Sequence, residues 1–126
     1  MSAADPRPPR RVRDPELLRT LHVQWRGSCA LDDQGGCRED RYSLHHVLNK
    51  PRDDVQANLV MLCGDGTTGH HGLVTAHDHH ACIRLGHHLV TERLDTMAYL
   101  GAKLGGVNAV REWLRWQLHY DLPATR

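Results

Sequence analysis

The stretch that decides the fold runs from Tyr42 to Asp78, YSLHHVLNKPRDDVQANLVMLCGDGTTGHHGLVTAHD. Tyr42 to Val47 favours an extended strand, and Leu59 to Cys63 (LVMLC) is a second apolar run of strand length. Between them, NKPRDDVQAN is a polar connection carrying Pro51 and Asn58. Gly64, Gly66 and Gly69 exclude regular structure from GDGTTG, and helix-compatible residues resume at His71. The predicted order is therefore strand, loop, strand, loop, helix.

Two histidine pairs are fixed in that order, and they bring chemistry with them. Consecutive residues on a strand point to opposite faces, so His45 and His46 cannot fill the same packing niche. His45, at the edge of a hairpin backed by a helix carrying His71, is placed to share a divalent ion with His71 through neutral imidazole nitrogens. His46, next to that ion and not bound to it, is placed to take a proton from an attacking water.

Outward from this core, Asp14-Pro15-Glu16 reads as a helix start, with a capping acceptor, a proline at the first helical position and an acid in the first turn. Leu17, Leu21 and Trp25 then form an apolar stripe, and the helix should end near Gly27. Cys29 to Cys37 encloses the polar segment ALDDQGG, a knuckle or hairpin turn. On the other side three helices are predicted: one within Asp78 to Glu92 with Cys82, Leu85 and Leu89 in register, one starting near Asp95, and one from about Val107 through Leu118. Gly105 and Gly106 suit the turn between the last two. Trp113 and Trp116 read as core anchors among Val110, Leu114 and Leu118, and Cys82 as core packing.

The 126 residues are most simply one domain, with Lys plus Arg at 16 against Asp plus Glu at 15, so the overall charge does not announce a nucleic-acid binder. The distribution says more. Arg7, Arg10, Arg11 and Arg13 crowd MSAADPRPPRRVRD, so residues 1–14 are expected to be a flexible basic arm, either tracking phosphates or without a role. There is no apolar run of the roughly 18 residues that span a bilayer and no secretory apolar core, so a soluble cytoplasmic protein without a membrane partner is expected. Four cysteines in such a chain are thiols or metal ligands before they are disulfides, and nine of the eleven histidines lie between His45 and His88. Of these, His79, His80, His87 and His88 read as the solvated side of a helix.

Together, His45, His46, Asn58 and His71, with the flanking NLVMLCGDGTTGHHG, resemble the HNH, or ββα-metal, endonuclease family, and in particular its phage and actinobacterial members. The resemblance covers Cys29 to about His77. It implies an α+β fold: a small ββα-metal core, here with an N-terminal helix and a C-terminal helical extension over about residues 79–126. It implies DNA cleavage by phosphodiester hydrolysis, nicking or double-stranded, with one catalytic divalent ion (Mg, Mn, Ni or Zn). His45 and His71 would be its ligands and His46 the general base, while Asn58, counted with His46 as catalytic, would fix the loop between the strands; in some members of the family that asparagine approaches the ion. Arg41, Lys50 and Arg52 would hold phosphates, with His77 as a further phosphate contact.

Many members of that family also carry a structural zinc held by two knuckles. Here Cys29, Cys37 and Cys63 would supply three thiolates and His70 the fourth ligand, a legitimate tetrahedral set. The spacings depart from the family pattern: both Cys29 to Cys37 and Cys63 to His70 are longer than a compact CxxC knuckle. The other reading of these cysteines is small buried hydrophobes. DNA is the implied partner, with a phage terminase or other packaging protein beside it. Two rivals stand against the nuclease: a non-catalytic, zinc-stabilised DNA-binding or phage-packaging accessory module, and a histidine-rich metal binder. The last leaves the placement of Asn58 and LVMLC unexplained.

Overall fold

Asp14 opens helix α1 (Pro15–Gln24) by accepting a hydrogen bond from the Leu17 N–H at 3.0 Å, and Pro15, with no N–H to leave unsatisfied, fits the first helical position. The chain is described here from a computed structural model covering residues 11–32, 37 and 41–123. α1 buries Leu21, half-buries Leu17 and Trp25, and lies against the first strand, where His22 Nε2 donates to the Tyr42 carbonyl at 2.9 Å.

Strands β1 (Tyr42–His46) and β2 (Leu59–Cys63) form an antiparallel pair with Tyr42 opposite Cys63, Leu44 opposite Met61 and His46 opposite Leu59. Every residue of β2 is buried, so it reads as an unbroken apolar run and not as an alternation. β1 ends one residue before the predicted Val47, although the Val47 N–H still reaches the Asn58 carbonyl at 2.9 Å.

Helix α2 (Gly69–Thr75) begins two residues ahead of the predicted restart at His71. The glycines that interrupt β2 launch this helix. Gly64 and Gly69 adopt φ of 82° and 62°, and the Asp65 carboxylate accepts from the Thr67 and Thr68 N–H groups at 2.8 and 3.1 Å, folding GDGTT back on itself.

Helix α3 (His79–Glu92) is capped by Asp78 through the Ala81 N–H at 3.0 Å and buries Cys82, Leu85 and Leu89 completely. α4 (Leu94–Leu104) ends on Gly105 at φ 100°, and α5 (Val107–Leu118) buries Val110, Leu114 and Leu118. These three helices pack on one another, and α2 bridges β2 and α3. Arg93, at the α3–α4 corner, ties them to the hairpin by donating to the carbonyls of Leu59 (2.7 Å) and Gln56 (3.0 Å).

The architecture is thus α+β, with five helices and one two-stranded sheet among the described residues. None of those helices is long and apolar enough to cross a membrane. One core reading needs correction: Trp116 is 74 % exposed. The buried positions of α5 recur every four residues, and residue 116 falls about 200° round the helix from Leu114. Of the expected basic arm, residues 1–10, with Arg7 and Arg10, lie outside the described residues. The next residues are anchored: Val12 N–H donates to Asp53 Oδ1 (2.7 Å) and Asp14 N–H to Asp54 Oδ2 (2.9 Å).

Candidate active site and metal centre

His70 and His71 follow each other at the start of α2, about 100° apart around its axis, and face two different places. His70 Nδ1 lies 3.3 Å from Cys29 Sγ, 3.4 Å from Cys37 Sγ and 3.2 Å from Cys63 Sγ. All four ligand atoms fall within 4.8 Å of one another, a group able to hold a metal ion. Tetrahedral zinc, with bonds of about 2.0–2.3 Å, needs S···N edges of about 3.5 Å, so this donor set fits such an ion with little rearrangement.

Cys63 also accepts from the His70 N–H at 3.2 Å, which locks that ligand pair to the turn. Burial pushes the Cys29 and Cys37 thiols above their ordinary pKa, so a bound cation is what would hold them as thiolates at neutral pH. Of the residues between Cys29 and Cys37, 33–36 lie outside the described residues. Cys82 takes no part: it is fully buried and donates to the Val74 carbonyl.

His71 faces a cleft of about 480 Å³ shared with His45, His46, Arg52 and His77, and walled on one side by Trp113 and Gln117 of α5. The rings of His45 and His71 meet edge to face, centroids 5.2 Å apart. Ser43 donates its proton to the Gly64 carbonyl at 2.7 Å, so at 2.5 Å from His71 Nδ1 the same hydroxyl can only accept. His71 therefore carries its proton on Nδ1 and keeps the Nε2 lone pair for a ligand. Burial, reinforced by His71, His46 and Arg52, drives the His45 pKa down to about 3, and burial also lowers that of His71. Both rings are neutral donors at neutral pH, and two of them leave room on a divalent ion for water and phosphate.

His46 is buried at the end of β1, its Nε2 2.8 Å from Asp54 Oδ1. Burial alone would raise the Asp54 pKa, but the Asp14 N–H and His46 outweigh it and hold the carboxyl below its ordinary value. An ionised carboxylate only accepts and Arg52 only donates, and Arg52 Nε reaches His46 Nδ1 at 3.3 Å. The proton of His46 accordingly sits on Nε2 and the lone pair on Nδ1.

Asn58 is fully buried, and its amide is spent on the loop before it: Oδ1 accepts from the Leu48 N–H (2.7 Å), and Nδ2 donates to the carbonyls of Leu48 and Asp53, both at 3.0 Å. It lines no part of the cleft; it holds the connection that carries Arg52, Asp53 and Asp54.

Of the four residues expected to hold phosphate, Arg52 and His77 line the cleft, whereas Arg41 and Lys50 do not. Arg41 is drawn to the Asp65 carboxylate at 3.8 Å. Arg52 is engaged with His46. His77 adopts φ 59° in closing α2, a conformation that histidine tolerates better than most residues. His79, His80 and His87 are exposed, as expected of a solvated side, and His88 is half-buried.

Three residues near the site escaped sequence reasoning. Ser43 orients His71, Asp54 holds His46, and Asp53 binds Tyr99 Oη at 2.6 Å and Lys103 Nζ at 3.4 Å. The one local signal was the paired acid in RDD, which reads equally well as solvated loop. Comparison of the chain with protein-family models, curated proteins and solved structures finds no match.

Proposed function

We propose that this protein is a divalent-metal-dependent DNA endonuclease that hydrolyses phosphodiester bonds with His46 as general base. The observation that carries the reading is the convergence on one cleft of two neutral imidazoles, His45 and His71, with the Nδ1 lone pair of a third, His46. His45 and His71 would hold the divalent ion, which when bound would supply positive charge to the scissile phosphate and its leaving oxygen. His46 Nδ1 takes the proton of the attacking water, and the imidazolium so formed faces the Asp54 carboxylate. Arg52, exposed and bonded to Nδ1 at 3.3 Å, has to turn away for that water to approach. A phosphate in the cleft is the natural acceptor for it. The Cys29, Cys37, Cys63 and His70 group would hold a zinc that stabilises the fold and takes no part in the reaction.

The test is cleavage of supercoiled plasmid with Mg, Mn, Ni or Zn against an EDTA control, comparing wild type with His46→Ala. Wild type should relax the plasmid only with metal, and the variant should lose about 10²-fold or more of the rate while still binding metal and DNA. Retained cleavage in the variant would overturn the assignment.

One observation favours a second reading, a zinc-stabilised DNA-binding or packaging module without catalysis: the base position on His46 is covered by Arg52. That module would bind DNA and leave it intact under every ion.

A further inference from the structure

We infer that Asp54 is the positioning residue of His46, and that the segment Val12–Asp14 fixes Asp54 in turn; the inference rests on the nuclease reading. The two side chains are 7 % and 8 % exposed and 2.8 Å apart, so water does not compete for their hydrogen bond. Each carboxylate oxygen has its own donor: Oδ1 receives His46 Nε2–H, and Oδ2 receives the Asp14 N–H at 2.9 Å. The Asp54 N–H is itself held by the Val12 carbonyl at 2.7 Å, and the Val12 N–H by Asp53 Oδ1 at 2.7 Å. A carboxylate clamped this way can only accept, which fixes His46 as the Nε2–H tautomer and turns the Nδ1 lone pair towards the cleft. It also lies against the positive charge that forms when Nδ1 takes a proton. The catalytic base is thus aimed, through Asp54, by a chain segment more than thirty residues before it in sequence.

Asp54→Asn tests this, because an amide has one oxygen for two donors. If the oxygen stays on the Asp14 N–H, the amide N–H₂ faces His46 Nε2 and drives the ring to the Nδ1–H tautomer, which has no lone pair for the water. The expected result is a fall in kcat on the order of 10²–10⁴, as when the carboxylate behind a catalytic histidine is lost, with KM for DNA nearly unchanged. Imidazole ¹⁵N shifts of His46 should report Nε2–H in wild type and Nδ1–H in the variant. Wild-type spectra need no variant to fold, and a wild-type His46 found as Nδ1–H overturns the inference by itself. If wild type cleaves and a folded Asp54→Asn keeps its kcat and tautomer, the positioning role falls and the nuclease reading stands. A plasmid left intact by wild type under every ion removes both.

Discussion

His70 and His71 share a peptide bond and face different neighbours, which makes them the sharpest pair of substitutions in the molecule. His70 closes the three-thiol group at 3.2–3.4 Å, and His71 faces His45 across the cleft. With the four-residue group holding zinc as proposed, His70→Ala should lower the zinc content found by elemental analysis and lower stability on the order of several kcal/mol, because metal binding and folding are one equilibrium in small domains. His71→Ala should keep that zinc and the melting temperature and lose plasmid cleavage. The same loss of zinc from both variants would show that the two histidines belong to a single centre. The residue types and their order were legible in the sequence: strand alternation divides His45 from His46, whereas the separate roles of His70 and His71 were expected only from the family resemblance. The tautomers were not, because each depends on a partner brought by folding: Ser43 for His71, and Asp54 with Arg52 for His46.

Among the elements, the turn from β2 to α2 carries the tightest backbone constraint. Gly64 sits at φ 82°, and a Cβ there would lie 2.1 Å from the Thr68 carbonyl oxygen, a backbone atom that cannot swing aside. Gly66, two residues on, has nothing within 4 Å of the same position. Gly64→Ala should therefore cost more than about 3 kcal/mol in denaturant unfolding, combining left-handed strain with a backbone clash, and should loosen the Cys63–His70 ligand pair. Gly66→Ala should stay within about 0.5 kcal/mol of wild type. Equal effects of the two would mean that the turn is not the constraint described. Elements with local punctuation were readable: Asp14 and Asp78 cap their helices, and Gly105 ends α4. The start of α2 was misplaced because a glycine that breaks a strand and one that opens a helix look the same in sequence.

The molecule as a whole is held across its length by Asp53, a role that no local pattern announces. This buried carboxylate accepts from the Val12 N–H near the start of the described chain, and from Tyr99 and Lys103 on α4, while its own carbonyl accepts from Asn58. It thereby joins the N-terminal segment, the loop carrying His46's partner and the C-terminal helices. Burial would raise its pKa, but the hydrogen bonds from Tyr99, Val12 and Lys103 prevail and hold it below the ordinary 3.8. The sign follows from linkage. A carboxyl with a depressed folded pKa contributes its full stability above about pH 4, and that contribution disappears as the pH falls through the folded value. Tyr99 gives the opposite limb: raised by burial and by Asp53, it contributes fully below about pH 10 and loses its contribution as the pH rises through its folded value. Asp53→Asn removes the charge and leaves one oxygen where two accepted, so at pH 7 it should cost about 1–3 kcal/mol. The gap in melting temperature between wild type and Asp53→Asn isolates this carboxylate from the Cys29, Cys37, Cys63 and His70 group, whose response to acid, with or without a metal, is common to both proteins. That gap should be constant from pH 7 to about pH 4 and narrow below it. A gap that stays constant to pH 2 would mean that Asp53 is not the ionised anchor of the N-terminal segment.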